Sequence, residues 1–192
     1  MRRLGEISSL VEQSKTGVVE NVGSLEDAQE AIGFSFGLFL DKQGKLLIPG
    51  PINEAMTSYI LKNKLLRKMH LTLQEELAVA VISREPAMES QITSIKSMKQ
   101  PFKTYNTREV IEMARPGLEE RKVKSLAVIA FRYHQPRAAA QVKKAGFNVV
   151  IPDMSDVGTF DANSYQWWTR DRRSWAMNEQ IVIPIFALLN YI

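Results

Sequence analysis

Two short segments carry the side chains best able to do chemistry in this 192-residue chain. The first is Tyr133, His134, Gln135, Pro136, Arg137, which breaks an apolar run just before an alanine-rich stretch. His134 could serve as an acid or a base, because an imidazole titrates near neutrality. Arg137 suits a carboxylate or phosphate, which its planar guanidinium fork can hold with two bonds. The second segment is Asn106, Thr107, Arg108, Glu109. Glu109, with Glu179 further along, is the carboxylate best placed for base or metal work, although no spacing identifies a partner ligand. Both segments also have a purely structural reading. His134 and Arg137 could cap local backbone and pair with an acid on a neighbouring loop, and Asn106 with Glu109 matches the reciprocal capping box N-x-x-E. For the second segment the two readings are compatible if Asn106 and Thr107 also face a cleft.

The flanking sequence indicates how the first segment is held. Ser125 to Phe131 (SLAVIAF) is short, continuously apolar and β-branched at Val128 and Ile129, the pattern of a strand buried on both faces. Pro136 suits the first turn of a helix, where a missing N–H leaves no bond unmade. Ala138, Ala139 and Ala140 let that helix lie close on a sheet, Gly146 suits a left-handed stop, and Phe147 to Ile151 resumes the strand pattern. The unit is β-α-β with a right-handed crossover. It sets His134 and Arg137 at the carboxyl end of a parallel strand and at a helix amino terminus, where open α/β folds bind ligands and anions are favoured.

Elsewhere the punctuation is local. Met1 to Gln13 reads as an amphipathic helix, Ser24 as the N-cap of a short acidic helix through Gln29, and Ala31 to Leu40 as a first strand containing Gly33 and Gly37. The spacing of those glycines fits neither a dinucleotide fingerprint nor a P-loop, although Ser35 stands where the strand could reach a cleft. Asp41 to Gly44 reads as a turn, Asn53 to Asn63 as a helix, and Leu65 to Leu71 as a strand in which His70 is packed rather than ligating. Thr72 with Glu75 fits a capping box opening a helix from Leu73 to Ser83. Ala87 to Lys103 reads as loose helix and loop, and a helix then runs from Asn106 or Thr107 to about Glu120. Alternating strands and helices predict an α/β fold, a three-layer Rossmann-like sandwich with a mainly parallel sheet.

Composition narrows the function classes. Hydrophobic content of 45% and charged content of 24% are ordinary for a globular chain, and one domain is expected. Without cysteine there is no disulfide, thiolate metal site or cysteine nucleophile, and with two histidines a histidine-rich zinc site is excluded, so no metal site is assigned. A carboxylate-bound hard metal stays open. A net charge of +4, spread along the chain, is weak support for nucleic acid. No signal-peptide core or span of about 20 apolar residues is present, and a cytoplasmic protein is expected. Ile181 to Ile192 is too short to span and reads as a terminal helix or strand docked on the sheet. Tyr165 to Trp175 (YQWWTRDRRSW) could stack bases as single-strand binders do, but the cluster is short and a lid over a small-molecule cleft, or a packed loop, is preferred.

The order Asn106-Thr107-x-Glu109 before a helix, a buried strand, then Tyr133-His134-x-Pro136-Arg137-Ala138 before another helix resembles the YdcF-like and SanA-like family of undefined function. That family also carries a late acidic residue after a tryptophan-containing loop, which here corresponds to Trp167, Trp168, Trp175 and Glu179. The resemblance is strongest over residues 104–179 and weaker from Ala31 to Met56. Two departures stand out: Leu71 to Glu76 replaces a serine-glycine-glycine turn, and Asn53 and Glu54 stand near the place of an arginine. The resemblance implies a bacterial protein with one Rossmann-like domain over residues 1–192, in which 1–23 is a helical extension. Some members look anchored in the envelope, and S-adenosylmethionine is a candidate ligand.

Together these readings predict a small-molecule-binding protein, an enzyme of transferase or hydrolase type, acting on an anionic or nucleotide-like ligand. His134 and Glu109 are expected to be catalytic, with Ser35, Asn106, Thr107, Tyr133, Arg137, Trp168 and Glu179 binding the ligand. The alternative is a noncatalytic regulatory or envelope-associated module that binds another protein.

Overall fold

A computed structural model describes residues 2–37, 39, 49–100 and 103–192. Five short strands, β1 (Glu30–Gly33), β2 (His70–Gln74), β3 (Ile92–Ile95), β6 (Ser125–Ile129) and β7 (Asn148–Val150), form one sheet in the order β3-β2-β1-β6-β7, every neighbour parallel. The remaining two, β4 (Met98–Gln100) and β5 (Lys103–Thr104), make a separate antiparallel ribbon. The chain builds the sheet outward from β1 in one direction, then returns to β1 and builds the other way with β6 and β7. The switch therefore falls between β1 and β6, where Ala31 pairs with Ala127 and Ile32 with Val128.

The side-chain period of two sorts the strand residues into two cores. Ala31, Leu71, Leu73, Ala127 and Ile129 face one way and meet Ile52, Met56 and Ile60 of α2 (Pro51–Lys62) and Leu77 and Val81 of α3 (Glu75–Arg84). Ile32, Leu126 and Val128 face the other way and meet Val110, Ile111, Ala114 and Leu118 of α4 (Thr107–Glu120) and Ala138 and Val142 of α5 (Gln135–Lys144). This is the three-layer α/β sandwich expected from the alternation of elements. The amino-terminal helix α1 (Arg2–Thr16) packs on α5 and on the last helix, α6 (Arg172–Leu188). Among the described residues no helix is long and apolar enough to cross a membrane.

Local signals hold at several ends. Ser24 accepts from the Glu26 N–H and forms a capping box with Asp27 on a single 3₁₀ turn, Pro136 sits in the first turn of α5, and Gly146 takes φ +97° after its end. Four expectations need correction. The first strand ends at Gly33, with Phe34 continuing only one bond to the Ile129 carbonyl; Leu38, Leu40 and the Asp41 to Gly44 turn lie outside the described residues. Leu66 to Lys68 is a 3₁₀ turn, because Asn63 Oδ1 accepts from the N–H groups of Leu65 and Leu66 and Leu66 drops into the core, so the strand begins at His70. Thr72 caps nothing: it is buried in mid-strand opposite Ile32 and Thr93, and α3 starts at Glu75 behind Gln74. Ile92 to Ile95, assigned to loop, is the edge strand of the sheet.

Gly33 has no room for a side chain at the end of β1. A Cβ there would lie 2.5 Å from Leu73 Cδ2 and 3.3 Å from Leu77 Cδ1. Gly33→Ala is expected to force Leu73 off its rotamer and lower stability by about 1–3 kcal/mol, measured by urea unfolding. Unchanged stability would show that Leu73 moves freely.

Candidate functional site

Parallel strands that stop together leave their following loops at one edge, and at the switch two of those loops diverge to opposite faces. Here that edge holds a cavity of about 270 Å³. Ser35 enters from β1, Gln74 and Glu76 from the β2–α3 junction, Ser97 after β3, Asn106 and Thr107 from the start of α4, and His134 and Arg137 from the start of α5. Trp168 and α6 close it from the side.

The innermost feature is a chain of polar bonds. Glu179 is fully buried on α6 and accepts from Arg137 Nε with both oxygens, at 3.1 and 2.9 Å. Arg137 Nη1 donates to Thr107 Oγ1 at 3.2 Å, and that hydroxyl lies 3.1 Å from His134 Nε2. A guanidinium only donates, so Thr107 accepts from Arg137 and keeps one proton for Nε2. Nδ1, on the other side of the ring, is buried and has no hydrogen-bond partner among the described residues. The ring is packed edge-on against Phe34 and Trp175. Burial, reinforced by the Arg137 charge, holds His134 well below its ordinary pKa of 6.5, so it is neutral at pH 7.

Across the site stands Glu76, 4% exposed in the first turn of α3. The Ser97 hydroxyl donates to it in a short bond, and the Ser35 hydroxyl also reaches it. Burial pushes its pKa up despite those hydroxyls. Burial likewise pushes Glu179 up, opposed by Arg137. Gln74 Oε1 fixes the loop above β1 by accepting from the Ser35 N–H at 2.9 Å, and Asn53 Oδ1 does the same for Phe36 at 2.8 Å. Asn53 is thus a buried backbone clamp.

Of the expected residues, Ser35, Asn106, Thr107, His134, Arg137 and Trp168 line one cavity. Glu179 lies behind Arg137 rather than in the lining. Tyr133 turns away: its ring packs on Phe131 and Phe160, and it borders a different cavity with Arg132 and Arg172. Glu109 also lies outside the lining, and its Oε2 accepts from the Asn106 N–H at 2.9 Å while Asn106 Oδ1 accepts from the Glu109 N–H. The capping box is therefore present, and of its two ends only Asn106 meets the cavity. Trp175 belongs to α6 rather than to a loop; its Nε1 donates to the carbonyls of Ser14 and Tyr133. Arg170 and Arg172 each donate through Nε to a backbone carbonyl, of Ser164 and Lys15 respectively. Glu76, Gln74 and Ser97 were missed. The only signal was the acidic pair Glu75, Glu76 directly after an apolar strand.

The class defined by this sheet and its edge is an open, doubly wound α/β protein with a polar cavity at the switch point. Compared with family models, with curated proteins and with solved structures, the chain matches none. Among the described residues no group of three or more His, Asp or Glu could hold a metal ion.

Two predictions follow from the geometry of the buried charges. Arg137→Met leaves Glu179 buried without its partner and is expected to cost about 3–5 kcal/mol, most of it restored in Arg137→Met/Glu179→Leu; a double variant as weak as the single would refute the coupling. Because folding depresses the His134 pKa, the unfolded chain takes up that proton first, and the histidine's contribution is lost as pH falls below about 6.5. Glu76 and Glu179, raised by folding, act oppositely, their contribution fading as pH rises above their ordinary 4.5. The midpoint difference between wild type and His134→Gln in urea is therefore expected to shift against the wild type between about pH 7.5 and about pH 5.5. A constant difference would mean that His134 is not held neutral.

Proposed function

We propose that the protein is an enzyme acting on a small polar ligand bound at the carboxyl edge of the sheet, with His134 and Glu76 as its proton-transfer groups. The observation that carries this reading is that both line one cavity at the switch point, buried and displaced in opposite directions. Burial disfavours the charge on both groups, pushing the carboxyl toward its protonated form and the imidazole toward its neutral one, a potential acid and base in one cavity. Arg137 has Nη2 left over from its bonds to Glu179 and Thr107, which suits an anionic or carbonyl oxygen on the ligand. The cavity is close to the lower end of the range of about 300–1,000 Å³ for ligand sites, which favours a small substrate or one part of a nucleotide-like one. Hydrolysis or group transfer fits such a pair. A YdcF-like assignment is supported to the extent that Asn106, Thr107, His134 and Arg137, drawn from two separated motifs, meet in one place.

Exposed Trp167 and Tyr165 beside the cavity favour a second reading, a surface that binds another protein. Thermal melts against nucleotides, S-adenosylmethionine and phosphorylated sugars separate the two. A ligand of this site at a hundredfold excess over its Kd is expected to raise Tm by about 5–10 °C, and His134→Ala abolishes the rise. With a ligand that is turned over, Glu76→Gln keeps the shift but lowers kcat by about 10²–10⁴-fold. Equal shifts in wild type and His134→Ala would overturn the assignment.

A further inference from the structure

On the far side of α4 and α5 from the sheet lies a second polar cavity, of about 170 Å³, closed by the turn after α6. Its wall includes Gln141, which is 2% exposed. Neither Nε2 nor Oε1 of that side chain has a hydrogen-bond partner among the described residues. Buried amide groups are nearly always paired, so one side chain with both ends open is a strong demand for a complementary partner.

The rim supplies charge of one predominant sign. Arg108, Arg115 and Lys144 face one acid, Glu112. Arg108 is committed, its Nε donating to Glu112 at 2.6 Å and its guanidinium lying 3.9 Å over the Tyr191 ring. Arg115 donates to the Ala145 carbonyl and to Glu119. Lys144 Nζ donates to Asn190 Oδ1 at 2.8 Å, a neutral acceptor, so its charge is unmatched by that bond.

We propose that this cavity is a binding site for a small free α-amino acid. The head group of an amino acid carries an acceptor and a donor on groups joined to one carbon, the pair that Gln141 requires. Its carboxylate would take the Gln141 amide N–H and the Lys144 charge, and its ammonium would donate to Gln141 Oε1. A purine edge also offers a donor and an acceptor to an amide, but it leaves the lysine charge unmatched, and one face of Tyr191 is already covered by Arg108. A cavity of about 170 Å³ suits a small amino acid better than a nucleotide. The site is separate from the cavity at the sheet edge and does not depend on the reaction proposed there.

The test is calorimetric titration of the full chain with glycine, L-alanine and L-serine at millimolar concentrations, with adenine, acetate and methylammonium as comparisons. Side-chain amide NMR signals of Gln141 are followed in parallel. At least one amino acid is expected to saturate and to shift the Gln141 amide, with acetate and methylammonium at least about tenfold weaker. Gln141→Leu is expected to weaken binding at least about tenfold, and His134→Ala to leave it unchanged. Should Gln141→Leu fail to fold, Lys144→Met serves instead, with a loss of at least about tenfold. The proposal is overturned if no amino acid saturates and the cavity is only hydrated, if adenine alone shifts the Gln141 amide, or if binding survives both substitutions.

Discussion

The ion pair between Arg137 and Glu179 is the interaction on which the site depends. Two charges withdrawn from water gain little net stability, since their attraction mainly offsets the cost of drying them. What the pair contributes is position. Arg137 begins α5, Glu179 lies midway along α6, and Thr107 opens α4, so one guanidinium sets three helices relative to the strand ends. Because the guanidinium can only donate, Thr107 Oγ1 accepts from it, and the same hydroxyl meets His134 Nε2. The histidine is oriented by a charge it does not touch.

Around that pair the sheet edge separates by chemistry. On the β6 side are groups whose partners are fixed: Trp175 spans two carbonyls, and the buried amide of Gln135 donates to the carbonyls of Val128 and Pro152, joining the ends of β6 and β7. On the β2 side is Glu76, bonded by the Ser97 and Ser35 hydroxyls and by backbone, and pushed toward its neutral form. Burial thus acts on both groups, and what differs is their support: the imidazole stands at the end of a relay from an ion pair, and the carboxyl has no cation among the groups that shift it.

Much of this was legible in the residues, and the reasons differ by element. The strand expected over Ser125 to Phe131, which ends at Ile129, could be recognised because a strand covered on both faces is apolar throughout, and α5 because Pro136, three alanines and Gly146 mark its start, its packing face and its end. Ile92 to Ile95 could not, because an edge strand with a polar Thr93 and Ser94 alternates too weakly to differ from loop. Thr72 misled for a related reason: its capping signal is genuine locally, but pairing with β1 on one side and β3 on the other outweighs a single side-chain bond. For the site, His134, Arg137, Asn106 and Thr107 lay in two compact motifs next to predicted helix starts. Glu76 was hidden because a glutamate in the first turn of a helix is common on the dipole alone, and only the tertiary fold dries it. Glu109 shows the reverse, a carboxylate in a suggestive motif whose position is accounted for by its cap.

The cavity's two sides differ in what carries them. Strand ends and buried amides form one side; the other hangs from the two-stranded ribbon that leads to Thr104 and from the single turn around Trp168, neither of which belongs to the five-stranded sheet. The two walls of the cavity are therefore set by different stretches of chain. Substitutions in the ribbon and the tryptophan turn can reshape one wall while the bonds that hold Arg137 and His134 stay in place.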